Sequence, residues 1–114
     1  MRVLAGSAAA LCLLAAEPAA AKDWQSARYA CERGVEIPVV YVNGVEPAIA
    51  ILSVEGALVT LEVERSGSGA RYGWPSDGSH YIWWSKCDTA QLVWRDGATG
   101  QETVIYSDCK EKQG

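Results

Sequence analysis

Residues 48–64 read AIAILSVEGALVTLEVE. Two apolar runs, Ala48 to Leu52 and Ala57 to Val63, meet at Glu55-Gly56. In the second run Leu58, Thr60, Glu62 and Glu64 fall on one face, and Val59, Leu61 and Val63 fall on the other. A period of two gives a strand with one wet face and one buried face. A Glu-Gly pair between two such runs is turn chemistry. The stretch therefore reads as a β-hairpin.

The rest of the chain follows the same pattern. Upstream, Arg28 to Cys31 begins a strand, and Val35 to Val42 (VEIPVVYV) is rich in β-branched residues. Pro38 inside it suggests an edge or a bulge, because proline cannot donate to a ladder. Asn43-Gly44 is a two-residue turn signal, since both residues accept positive φ. Downstream come His80 to Ser85, Thr89 to Trp94, turns at Asp96-Gly97 and Thr99-Gly100, then Glu102 to Tyr106. No window sustains a helical period. Short strands recurring about every 8–12 residues with turns between them indicate an antiparallel sandwich or barrel. Closure into a barrel removes exposed edges. Neither an internal repeat nor a linker is visible, and Lys110 to Gly114 reads as a disordered tail.

The first 21 residues stand apart. Met1-Arg2 is a minimal positive start, Val3 to Ala16 is apolar, Pro18 breaks the run, and Ala19 and Ala21 are the small residues a signal peptidase reads. The expectation is a signal peptide over 1–21, cleavage after Ala21, and a single domain over 22–114 in the periplasm or outside the cell. The apolar run is too short for a permanent span. Cys12 follows Leu11 inside that run, so a lipid anchor on it is not expected.

The net charge of −4 is unchanged by cleavage, which removes one base (Arg2) and one acid (Glu17). An acidic exported domain is poorly matched to nucleic acid or anionic lipid and better matched to a basic protein. Three cysteines would remain: Cys31, Cys87 and Cys109. An oxidising compartment favours pairing, and of the three possible pairs we expect Cys31–Cys109, which leaves Cys87 as the odd thiol. A bridge enclosing nearly the whole domain is worth roughly 4–5 kcal/mol in chain entropy.

The catalytic inventory is thin. His80 is the only histidine, and no metal-ligand spacing is present, so neither a metal nor a cofactor is expected. Ser66 and Ser68 do not sit in a nucleophile elbow. No pair of carboxylates is singled out for glycosidase work. The chain is not expected to be an enzyme.

The stretch SGSGARYGWPSDGSHYIWWSK, residues 66–86, is the candidate for binding. Gly67 and Gly69 flank Ser68 and allow close approach and unusual backbone angles, which leaves a short hydroxyl on a projecting loop. Arg71 and Tyr72 return the chain to the sheet, and Lys86 ends the strand that follows. If that strand pairs near Tyr72, Ser68 and Lys86 lie on neighbouring loops at one end of the fold. A hydroxyl and an ammonium side by side suit a target with two carboxylates in a cleft. The plain alternative is a flexible turn, one core and one surface tryptophan, and a solvated lysine.

The strings Ser68-Gly69-Ala70-Arg71-Tyr72, Trp84-Ser85-Lys86 and Asp88-Thr89-Ala90, with Tyr29-x-Cys31, Tyr41-Val42-Asn43 and the late Cys109, closely resemble the bacterial inhibitors of C-type lysozyme. The resemblance covers essentially residues 28–109. It implies a small eight-stranded antiparallel β-barrel closed by a Cys31–Cys109 disulfide. It also implies that Ser68 and Lys86 enter the active-site cleft of C-type lysozyme and engage its two catalytic carboxylates, protecting peptidoglycan against host defence. Gly69, Arg71 and Tyr72 match the rest of the first motif, with Arg71 and Tyr72 assigned to shaping the loop. The family usually has glycine after the lysine, where this chain has Cys87. If that glycine serves a positive-φ turn, cysteine strains the loop or redirects Lys86. The rival reading is a barrel that binds carbohydrate such as peptidoglycan fragments through Trp74, Trp83 and Trp84. A small-ligand barrel of the lipocalin sort is weaker, because so short a barrel fills its own interior. Either a monomer or a homodimer is compatible with the sequence.

Overall fold

The computed structural model describes residues 23–112. The expected signal peptide, Cys12 and the last two residues lie outside them. Eight strands follow in chain order: β1 (Trp24–Ala30), β2 (Glu36–Val42), β3 (Ile49–Val54), β4 (Ala57–Glu64), β5 (Ala70–Gly73), β6 (His80–Lys86), β7 (Thr89–Arg95) and β8 (Glu102–Glu111). Each pairs antiparallel with the next, and β8 returns to β1, closing an all-β barrel.

The hairpin read from 48–64 forms as expected, with Leu61 buried and Val59 half-buried, but Val63, read on the same face, is exposed. Val54 pairs with Ala57, and Glu55 (φ 50°) and Gly56 (φ 82°) both take the left-handed region between them. That is the geometry whose twist matches a two-residue hairpin. Asn43-Gly44, by contrast, makes no such turn. Residues 43–48 form a longer connection, and the amides of Asn43 and Gly44 both donate to the Asp23 carbonyl (2.7 and 3.1 Å). The turn residues are consumed in tying the start of β1 to the end of β2. Pro38 pairs with Arg28 of β1, while the ladder from β2 to β3 begins only at Val39, so on its β3 side Pro38 stands on an unpaired stretch of β2, in keeping with the edge expectation. Its missing N–H falls where no β3 partner is paired.

Two further expectations change. Arg28 to Cys31 is the end of β1, not its beginning, because Cys31 donates its N–H to Val35 O (2.7 Å) across the turn Glu32–Gly34. The tail is also ordered further than expected. Lys110 and Glu111 belong to β8 and pair with Ala30 and Tyr29, and the Lys112 amide donates to Arg28 O (2.8 Å). Lys112 also bonds the Glu36 carboxylate and holds it below the usual carboxylate range, first through that hydrogen bond and then through its charge. The β1–β8 ladder is short, and the Cys31–Cys109 disulfide occupies its next position. A loop of 78 residues closed there contributes about 4.5 kcal/mol by chain entropy.

The barrel interior is filled by its own side chains. Ile37, Leu52, Leu61, Trp83 and Leu92 are fully buried there. Trp83 donates its indole N–H to the Tyr41 hydroxyl (2.9 Å), which in turn bonds the Tyr29 hydroxyl (2.8 Å). Tyr29 and Trp83 meet edge to face at 5.0 Å. Burial, with Tyr41 alongside, pushes the Tyr29 phenol well above the usual tyrosine range. The polar atoms of Tyr29, Tyr41 and Trp83 are thus paired with one another, which avoids their desolvation penalty. Side chains thus occupy the position that a lipocalin-type ligand would take.

Candidate functional site

The site is built by two short connections at one end of β6. Between β4 and β5 runs Arg65 to Gly69, and between β6 and β7 runs Cys87-Asp88. Pairing of Ala70 with Ser85 brings the first connection against the second. Gly69 makes that possible. It sits at φ +68°, and a Cβ there would overlap the Ser85 carbonyl oxygen. Any other residue would meet both a conformational penalty and a clash. Gly67 carries neither burden, having open space around it and no positive φ. The expectation that both glycines matter therefore narrows to one.

Ser68, Trp84, Lys86, Thr89, Gln91 and Asp108 line a hollow of about 320 Å³. Ser68 and Lys86 thus face the same space, as the expected pairing of the strands requires. The backbone of each is engaged: Ser68 O accepts from Trp84 Nε1 (2.9 Å) and Ser66 Oγ (2.5 Å), and Lys86 O accepts from Thr89 Oγ1 (3.1 Å). Neither side chain is. Among the described residues the Ser68 hydroxyl makes no hydrogen bond and Lys86 no ion pair.

Cys87 occupies a positive-φ position (φ 57°) in the tight connection between paired Lys86 and Thr89. A cysteine there costs about 1–2 kcal/mol relative to glycine. The strain stays local, since Lys86 keeps its ladder partner and still lines the hollow. None of the described cysteines is a free thiol, so Cys87 is not the odd thiol that counting suggested.

Arg71 and Tyr72 divide their labour. Tyr72 is buried in the core against Tyr41, with ring centres 5.7 Å apart. Arg71 lies on the outer face, its guanidinium 4.9 Å over the Trp84 ring, bonded to Glu64 (2.6 Å) on one side and Glu102 (2.7 Å) on the other. Arg95 completes the row by bonding Glu102 (3.0 Å). Partial burial works against the Arg71 charge, but the bonds to Glu64 and Glu102 hold its pKa above the usual arginine value. Sequence reading missed Glu102 and the anchoring role of Trp84. Glu64 stands just before the loop and could have been suspected, whereas Glu102 lies 31 residues from Arg71 and gave no signal.

The proposed tryptophan platform does not form as one surface. Trp83 is fully buried, Trp84 is covered by Arg71, and Trp74 lines a different hollow beside His80 and Arg95. His80 opens β6, paired with Arg95 of β7, and its Nδ1 donates to Gly78 O at 2.9 Å.

Comparison with known proteins places this geometry. The periplasmic lysozyme inhibitor of C-type lysozyme from Salmonella typhimurium is similar in structure, with a TM-score of 0.64 and 24% identity over 80% of this chain and 100% of that one. The adhesin complex protein from Neisseria meningitidis is also similar, with a TM-score of 0.52 and 15% identity over 76% and 98%. At such identities both show the fold alone. No curated protein sequence matched the chain. The model of one family, described as membrane-bound lysozyme-inhibitor of c-type lysozyme, matches residues 29–101, from the end of β1 to the edge of β8. With more than half its length matched, the chain belongs to that family of lysozyme inhibitors.

Proposed function

We propose that this protein inhibits a C-type lysozyme by seating the Ser68 hydroxyl and the Lys86 ammonium in the enzyme's active-site cleft, against its two catalytic carboxylates. The observation that carries this reading is the hollow lined by both residues, whose backbones are held while their side chains are left without internal partners. Lysozyme chemistry needs one carboxyl protonated and the other ionised. An ammonium pressed between them holds both ionised and removes the general acid. The serine hydroxyl donates to a carboxylate oxygen that Lys86 does not reach. Charge-assisted bonds of this kind are strong where water is excluded. The protein's net charge of −4 would speed encounter with a basic lysozyme.

In this reading the protein binds another protein rather than turning over a substrate, and it works after export, where it guards peptidoglycan. The leader over residues 1–21 would deliver it to the periplasm or beyond.

The test is lysis of a peptidoglycan-bearing cell suspension by C-type lysozyme, with and without the purified protein. We expect suppression at near-stoichiometric ratios. Lys86→Ala should weaken it by at least about tenfold while the thermal midpoint stays in place, as expected for an interfacial ion pair worth more than about 1.4 kcal/mol. Undiminished inhibition by that variant would remove Lys86 from the site.

A further inference from the structure

Ser68 lies between two glycines on an exposed connection, a setting in which a hydroxyl would ordinarily sample many positions. Ordering it on binding would subtract from affinity. The Ser66 hydroxyl bonds Ser68 O (2.5 Å) but belongs to the same loop and moves with it. The indole of Trp84 is different. It stands on β6, in the barrel wall, 16 residues away in sequence, and donates Nε1–H to the same carbonyl at 2.9 Å. Its ring is in turn held by Arg71, which stacks on it at 4.9 Å and is bonded on both flanks by Glu64 and Glu102. A guanidinium fork engaged at both ends has little freedom left. We propose that Trp84 is a positioning residue for Ser68. Glu64 and Glu102 fix Arg71, Arg71 fixes the indole, and the indole fixes the Ser68 carbonyl, so that the hydroxyl is presented to the hollow already ordered.

This inference rests on the reading of Ser68 as a partner-binding residue, and the experiment separates the two. Trp84→Phe keeps a ring under Arg71 and deletes the N–H. In the free protein, backbone amide relaxation of residues 66–70 should show lower order parameters at Gly67, Ser68 and Gly69, with β6 unchanged. Arg71→Lys, which retains the charge but not the fork, should loosen the same residues less. Order parameters identical to the parent in both variants would overturn the positioning role, whatever lysozyme does.

Inhibition supplies the second reading. Trp84→Phe should weaken it about three- to tenfold, the worth of one hydrogen bond. In a Ser68→Ala background the same change should cost nothing further, because a positioning residue has nothing left to position. A fully additive loss would overturn the proposal, since the indole would then be touching the lysozyme itself. If Ser68→Ala alone leaves inhibition intact, the assignment of Ser68 to the partner fails, and the relaxation experiment alone decides the role of Trp84.

Discussion

The two ends of β6 solve the same problem in opposite ways. At the His80 end, the connections 74–79 and 96–101 pack so closely that a Cβ on Gly97 would overlap the Asp77 carbonyl oxygen. Their polar groups are spent on one another: Gly97 N–H donates to Ser79 Oγ (2.8 Å), Gly78 N–H to Ser76 Oγ (3.1 Å), and Ala98 N–H to the Asp96 carboxylate (2.8 Å). At the Lys86 end the loops are just as tightly docked through Gly69, yet the Ser68 hydroxyl and the Lys86 ammonium take no part. Side chains that close a loop stabilise the fold, and side chains withheld from a well-held loop are available to a partner. Under the proposed function, that difference would make one end structural and the other the surface offered to lysozyme.

Paired glycine substitutions offer the strongest way to break this contrast. Gly97→Ala and Gly69→Ala should each cost about 1–3 kcal/mol of unfolding free energy, the usual range for overpacking. Denaturant titration measures that cost. Inhibition by the folded fraction should survive Gly97→Ala and be lost in Gly69→Ala. Equal loss in both would mean that the ends are not functionally distinct.

Alkali sharpens the contrast next, by acting on the core between the ends. Burial raises the folded-state pKa of Tyr29, and likewise that of Tyr72, above the ordinary 10.0. Their contribution is therefore complete below pH 10 and is lost as pH rises from there toward the raised folded values. At pH 11 Tyr29 alone should account for on the order of 1 kcal/mol. Probes placed at the two ends should lose structure together along that titration; separate transitions would show that the ends do not share one cooperative core.

Smaller still is the strain at Cys87. Because both variants remove the sulfur, comparing Cys87→Gly with Cys87→Ala isolates the backbone, and the glycine variant should be the more stable by about 1 kcal/mol. Equal thermal midpoints would mean that the positive φ carries no strain. Gly67→Ala closes the series. With open space and no positive φ, it should change stability by less than about 1 kcal/mol and, through a stiffer unfolded chain, in the favourable direction.

Particular residues show what could be read beforehand. The alternation of β4 and the Glu55-Gly56 turn are local, set by side-chain period and by backbone angles that two adjacent residues must adopt. Asn43-Gly44 carries an equally good local signal, and tertiary bonds to Asp23 override it. Lys110 and Glu111 look like a polar tail until β1 offers them a ladder, which no local pattern announces.

The sequence by itself determined that the chain is all-β, the side-chain alternation of β4 with Leu61 inward (though not the exposure of Val63), and which motifs carry a hydroxyl and a cation. Those are properties of neighbouring residues and of side-chain chemistry. Only the tertiary structure decided that β8 closes on β1 beside the disulfide, that Ser68 and Lys86 share one hollow, and that Glu102 bonds Arg71 while Trp84 bonds the Ser68 carbonyl. Each of these depends on strand register around a closed barrel. Register is a property of the whole sheet, because shifting one strand by a single residue would turn every such side chain to the other face.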